Sequence, residues 1–278
     1  DMLARPVNGE RPKASFGFEK GNYWSNNYLN TASYAAMGLI CGAGNRPGRM
    51  VSRLGGHQRG WMGAAAYPLN KSPNKLPGGR RQEIDLDRWV ESGNLRFAWV
   101  IGTTWVQSMG ASDEFYRRFL ELTRDNPHQV QSTDVDSAIR SLIRRADSGG
   151  MVVADQDIYL RSPIGDELAD LVLPAATWGE EDFTRCNGER RLRLYSRFYD
   201  PPGDSKPDWW IISQFGRKMG FKSYDWKDSN QVFEEAARFS RGGMLNYHPL
   251  VVSARSQKRR AHEVLRDHRN PDVHTAGR

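Results

Sequence analysis

The sequence predicts an α/β protein built on a parallel sheet. Three short apolar runs carry that expectation: Leu95–Ile101 (LRFAWVI), Met151–Asp155 (MVVAD) and Ala169–Ala176 (ADLVLPAA). Each is apolar on both faces, as a strand covered from both sides must be. Helical patterns separate the runs, giving the order β-α-α-β-α-β, in which parallel strands are joined by helical, right-handed crossovers.

The elements follow in chain order. Ser25 is positioned to cap a helix whose stripe is Leu29, Ala32, Ala36, Leu39 and Ile40, with Gly42 as its left-handed stop. The following GAGNRPGR cannot be regular structure and delivers the chain into SRLGGHQRGW at Ser52–Trp61. Pro, Gly, Asn and Lys mark residues 68–81 as a surface loop, and a short helix surrounds Trp89. A boundary near Ser92 divides the end of one α/β domain (1–92) from a second (93–250), with a basic trailing segment over 251–278.

In the second domain, Ser112–Thr123 places Phe115, Phe119, Leu120 and Leu122 at helical spacing, and Ser137–Arg145 turns Ile139, Leu142 and Ile143 inward. After the third strand, Trp178–Arg197 is dense in charge, with a turn at Asn187-Gly188; Arg190, Arg191 and Arg193 are placed to reach an anionic cofactor, the alternative being a solvated charged hairpin. Asp208 then caps a helix offering Trp210, Ile211, Phe215 and Met219 to the core, and Gly220 stops it.

Composition narrows the functions. The chain has 278 residues and a formal net charge of +7, a field that favours anionic ligands. Cys41 and Cys186 are its only cysteines, too few for a disulfide framework, a structural zinc site or a protein-ligated iron–sulfur cluster, so no metal ligand is assigned. No apolar run is long enough to cross a bilayer. The tryptophans fall in helix and strand patterns instead of alternating with Lys and Arg, which argues against a nucleic-acid partner. Because the chain opens on Asp1 and its first element reads as the middle of a domain, a segment of a longer polypeptide, incomplete at both ends, is expected.

Candidate chemistry gathers at two places. Arg53 and His57 stand four positions apart among small residues, with Gly55 and Gly56 between them. A guanidinium fork beside an imidazole suits a compact oxygen-rich anion or oxyacid. The second place is the carboxyl end of the sheet, where α/β proteins bind ligands. There Gly102, Thr103 and Thr104 offer hydroxyls and backbone N–H groups to a phosphate, while Asp155 and Gln156 offer a carboxylate and an amide to a ribose or a guanine edge. Neither GxGxxG nor GxxxxGK[ST] occurs, which argues against a standard nicotinamide site or a P-loop.

The run ADLVLPAATWGEEDFTRCNGERRLRL at Ala169–Leu194 resembles the molybdopterin oxidoreductases of the dimethyl sulfoxide reductase type. More specifically, residues Phe16–Trp61 (FGFEKGNYWSNNYLNTASYAAMGLICGAGNRPGRMVSRLGGHQRGW), RWVESGNLRFAWVIGTTW and NGERRLRLYSRFYDPPGDSKPDWW are similar to the large subunit of arsenite oxidase, over nearly all of the chain up to about Ser253. The resemblance implies Rossmann-like domains and a molybdenum centre held by two molybdopterin guanine dinucleotides. It implies oxidation of arsenite to arsenate, in which the arsenic lone pair attacks an oxo group on the metal and two electrons pass to molybdenum. Arg53 and His57 match the family's substrate-binding pair. Gly102, Thr103, Thr104, Asp155, Gln156 and Asn187, with Lys20, Gly21 and Gln58 from the first half, are carried over as cofactor contacts.

It further implies a three-iron four-sulfur cluster whose ligands lie outside this stretch, a Rieske iron–sulfur small subunit and a downstream acceptor such as a cytochrome or azurin. A periplasmic location and inactivity of this stretch alone follow by the same route. The alternative is another molybdopterin oxidoreductase, such as a nitrate reductase or formate dehydrogenase.

Overall fold

The computed structural model describes residues 5–18, 28–44, 49, 51–53, 86–109, 111–130, 132–160, 162–186, 192–241 and 246–267. The chain divides into two units, one of residues 1–60, 185–193 and 270–274 and one of the remainder. Each is taken by itself.

In the first unit, β1 (Phe16–Phe18), α1 (Tyr28–Ile40) and β2 (Val51–Arg53) form a β-α-β turn. The strands are parallel and in register from Phe16 opposite Val51 to Phe18 opposite Arg53. Helix α1 presses Gly38 onto β2 so closely that a Cβ there would lie 2.4 Å from Val51 Cγ2. Gly42 stops it with φ +77°. The buried face is not the expected one, because Leu29, Leu39 and Ile40 are all more than 60% exposed. The small side of the helix faces the strands, since only small residues allow that approach. Ser25 lies outside the described residues.

The second unit holds the main sheet. The short helix α2 (Leu86–Glu91) leads to β3 (Phe97–Ile101), followed by α3 (Ser112–Leu122), α4 (Val135–Asp147), β4 (Val152–Asp157) and β5 (Leu171–Pro174). The strands are parallel in the order β3-β4-β5, with Ile101 opposite Gln156 and Ala154 opposite Leu171. A π-helical turn over Ile164–Leu168, not a regular helix, makes the crossover between β4 and β5. Val90, Ala98, Val100, Phe115, Phe119, Leu122, Val153, Ile164 and Leu168 form the core on one face of the sheet. Val90 belongs to this core, so α2 packs within the second unit. Only β4 is buried along its length; β5 is an edge whose Leu171 and Val172 are 52% and 38% exposed.

Helix α4 shows what sets its rotation. Ile139 and Ile143, expected to face inward, are 49% and 55% exposed. Arg145 faces inward instead. Its Nη1 donates to both oxygens of Asp170 at 2.8 Å and to Met151 O at 3.2 Å, and both side chains are almost wholly buried. Asp170 Oδ2 also accepts from Val153 N at 3.0 Å, which ties the start of β5 to β4. The flanking Gly150 is obligatory, because a Cβ there would meet Arg145 Cγ at 2.5 Å and Leu122 O at 2.9 Å.

Beyond the sheet come β6 (Phe183–Cys186) and β7 (Leu192–Tyr195), which pair with each other, and then α5 (Asp208–Lys218), α6 (Ser229–Phe239), α7 (His248–Ser256) and α8 (Ala261–Asp267). Helix α5 covers part of the other sheet face, with Ile211 buried and Trp99 meeting Phe215 edge to face at 4.8 Å. Trp210, Phe215 and Met219 stay 38–61% exposed, short of the expected core role. Gly220 terminates the helix with φ +89°. Residues 261–267 do not trail: Ala261, His262, Val264 and Leu265 are buried, and Arg255, Arg259, Arg260 and Arg266 pair with Glu234, Asp267, Asp228 and Asp182. The basic charge near this end is therefore largely spent within the fold.

Asp170→Ala leaves Arg145 as a buried cation without a counter-charge, so the unfolding free energy is expected to drop by about 3–5 kcal/mol. The double change Arg145→Met with Asp170→Leu recovers most of that loss. Urea midpoints of the three proteins decide the matter, and a double variant no better than Asp170→Ala would contradict it.

Candidate functional site

The carboxyl ends of β3 and β4 lie side by side and build the site. Gly102 follows β3 with φ +56°, and nothing lies within 4 Å of where its Cβ would be. Its N–H donates to Gln156 O at 2.9 Å, so the turn is anchored to the neighbouring strand while its other side stays open. Thr103 and Thr104 follow, both exposed. Thr104 O accepts from the backbone and hydroxyl of Ser108, each at 3.0 Å, which folds the loop into a 3₁₀ turn over Val106–Ser108. An open glycine, exposed hydroxyls and a fixed turn suit a phosphate that approaches the backbone closely.

Asp155 stands opposite Val100 and Val172, on the core face of the sheet. It is wholly buried, and neither carboxylate oxygen has a hydrogen-bond partner. Gly165 in the π-helical turn leaves it space; a Cβ there would lie 2.6 Å from Oδ2. Burial, reinforced by the charges of Asp157 and Asp166, pushes the Asp155 carboxyl up to about 6. Two buried, unused acceptors at a strand end fit a ligand that brings paired donors.

Gln156 is occupied. Trp99 Nε1 donates to its Oε1 at 3.1 Å, and its Nε2 donates to Asp208 Oδ1 at 2.7 Å. The amide is thus a strut between β3, β4 and the first turn of α5, with its oxygen and its nitrogen each engaged once. Asp208 does not cap α5; Pro207 holds the cap position, and the carboxylate of Asp208 serves Gln156 instead.

Glu181 and Gly165 were not singled out from the sequence. Burial pushes the Glu181 carboxyl up to about 7, helped by the charge of Asp208 and, less, of Asp182. The run GEED reads as surface charge, and only the tertiary fold removes this acid from water. Gly165 carries a weak signal, a glycine three residues after Ser162 where the chain begins a helical turn, with Gly165 N donating to Ser162 Oγ at 3.2 Å.

In the first unit, Arg53 closes β2 opposite Phe18, at the carboxyl end of a parallel strand pair. His57, Gln58, Lys20, Gly21 and Asn187 lie outside the described residues. Among the described residues no group of three or more His, Cys, Asp or Glu is placed to hold a metal ion, and no helix is long and apolar enough to cross a membrane.

Residues 161–218 match the family model described as molybdopterin oxidoreductase. An iodate reductase subunit IdrA from Denitromonas iodatirespirans is 57% identical over 99% of this chain and 31% of its own length. Its counterpart from Pseudomonas sp. (strain SCT) is 53% identical, again over 99% of this chain and 31% of its own length. The arsenite oxidase subunit AioA from Herminiimonas arsenicoxydans is 26% identical over 83% of this chain and 28% of its own length. The chain belongs with the molybdopterin oxidoreductases of the dimethyl sulfoxide reductase type, a family that implies molybdenum and a molybdopterin cofactor. It spans about a third of the length of these relatives. The specific likeness to arsenite oxidase is corrected by these identities, which favour the alternative of another oxidoreductase in the family.

Asp155 yields a pH prediction. Its folded-state value lies above that of the unfolded chain, so the folded state binds the extra proton between the ordinary carboxyl value of 3.8 and about 6. Its contribution is therefore most favourable below this window and is lost as pH rises through it, by at most about 3 kcal/mol. Asp155→Asn should flatten the stability profile between pH 4 and 6 and raise stability at pH 8, about two units above that window. Denaturant midpoints across that range that run parallel for the two proteins would refute it.

Proposed function

We propose that this chain forms part of the catalytic subunit of an oxyanion-reducing molybdopterin oxidoreductase whose substrate is iodate. The observation that carries the reading is identity of 57% and 53% with two iodate reductase subunits across 99% of the chain.

Iodate and arsenous acid are both pyramidal, with three oxygens and a lone pair on the central atom, so one compact pocket can seat either shape. Their hydrogen bonding differs. Arsenous acid donates and accepts, whereas iodate only accepts and carries a negative charge. Arg53 and His57 are assigned the same place in either reading, but iodate asks both to donate: the guanidinium N–H groups bind and orient two oxygens, and a protonated imidazole holds a proton beside the third. Each oxygen lost takes two protons and two electrons and leaves as water, IO3⁻ + 2 H⁺ + 2 e⁻ giving IO2⁻ + H2O. His57 supplies one proton at the imidazole N–H, and the positive field of the chain, net +7, favours entry of the anion.

When bound, the molybdenum–pterin group supplies two-electron oxygen-atom transfer. The guanine dinucleotide form of the cofactor is part of the proposal. The open turn at Gly102–Thr104 suits its phosphates, and the unpaired acceptors of Asp155 suit its nucleoside. Lys20, Gly21, Gln58 and Asn187 keep the contacts that the resemblance assigns. A three-iron four-sulfur cluster ligated outside this stretch, a Rieske-type small subunit, here delivering electrons instead of receiving them, and a periplasmic location complete the reading, supported by resemblance to arsenite oxidase alone.

In the full-length enzyme with a reduced electron donor, His57→Ala is expected to slow iodate reduction by at least about 100-fold, the scale of a lost general acid, with molybdenum content unchanged. Assays of the wild-type enzyme with arsenite and an oxidised acceptor should show little turnover. Efficient arsenite oxidation without iodate reduction would reverse the assignment.

A further inference from the structure

Asp155 and Gly165 break two local rules at one place. A buried carboxylate without a donor is costly, and Asp155 is wholly buried with both oxygens unpartnered. Val100 and Val172 flank it in register, so an apolar residue at 155 would simply continue the core. A glycine inside a helical turn is also unfavourable by about 1 kcal/mol relative to alanine. Backbone conformation does not demand one at 165, whose φ is not in the left-handed region, unlike that of Gly102. What the glycine provides is space, because a Cβ would lie 2.6 Å from Asp155 Oδ2. Coinciding exceptions of this kind mark functional positions.

We propose that Gly165 is a positioning residue for the cofactor's nucleoside. By lacking a Cβ, it lets Asp155 keep both oxygens available as acceptors for paired N–H or O–H donors, either a lactam–amine base edge or a ribose diol. The inference rests on the dinucleotide form of the cofactor proposed above. A phosphate is the wrong partner here, since the charges of Asp157 and Asp166 act on the same carboxylate and would repel it. Leu160 borders the same space, its Cα and Cδ2 each 3.5 Å from the Cβ position of Gly165, and is 53% exposed.

The test uses the full-length holoenzyme and measures guanine nucleotide released per chain by acid hydrolysis, with molybdenum determined in parallel. Gly165→Ala and Asp155→Ala should each lower nucleotide content about tenfold, the scale of one charge-assisted hydrogen bond. The double variant should fall no lower than Asp155→Ala alone, because the added methyl then meets nothing. A second readout moves the opposite way: Asp155→Val should raise the thermal midpoint of the cofactor-free protein while lowering nucleotide content. If Gly165→Ala reduces nucleotide by the same factor in the Asp155→Ala background, the glycine serves the fold alone and the inference is overturned. Full nucleotide content in Gly165→Ala or in Asp155→Ala overturns it as well. Wild-type enzyme that releases no guanine nucleotide would instead sink the dinucleotide reading on which it rests.

Discussion

The buried pair of Arg145 and Asp170 is the constraint on which the second unit is built. A guanidinium and a carboxylate removed from water must satisfy each other closely or unfold the region. The demand is met with both Asp170 oxygens at 2.8 Å and further bonds to Met151 O and from Val153 N. These groups come from the end of α4, the start of β4 and the start of β5, so one ion pair fixes the order and register of the strands. Arg124 reinforces it from the end of α3, donating to Ala169 O at 2.9 Å. The clamp has no part in chemistry, because it sits at the amino ends of the strands.

The opposite ends are organised differently. At the carboxyl ends the polar groups are left partly unspent: Gly102 is open, the threonines are exposed and Asp155 has no partner. Gln156 is the exception that holds this region together, joining Trp99 to Asp208 and so seating α5 across the sheet. Rigid attachment at one end and unsatisfied polarity at the other is the arrangement a binding site requires, since ligand contacts must be held in place by residues that the ligand does not touch. The strut and the free acceptor are adjacent in sequence, and strand alternation sends them to opposite faces.

Much of this was legible before the fold was seen. β3 and β5 fall within the apolar runs that indicated them, β4 runs two residues past its own, and Phe115, Phe119 and Leu122 are buried as their spacing requires. Where the reading failed, a single unpatterned interaction had overruled hydrophobic periodicity. Helix α4 exposes Ile139 and Ile143 because Arg145 must reach Asp170, and no window of 11–18 residues contains that information. Helix α1 turns Leu29, Leu39 and Ile40 outward because Gly38 needs contact with Val51. At the site, strand ends could be located from topology alone, which found Gly102–Thr104 and Asp155. The difference between Gln156 as strut and Asp155 as free acceptor could not, since it depends on Trp99 and Asp208, each more than 50 residues away in the chain.

The same limit applies to substrate. An arginine and an imidazole four residues apart suit a compact oxygen-rich anion or oxyacid, and that much follows from residue chemistry. Whether the central atom is reduced or oxidised there depends on the potential of the metal and on the donor or acceptor that meets it, neither of which is written in these residues. Motif resemblance therefore points to a class of compact oxygen-rich substrate and leaves the direction of electron flow open. Identity spread over the whole chain samples the surrounding scaffold as well as those two residues, and for that reason it separates relatives that a short motif does not.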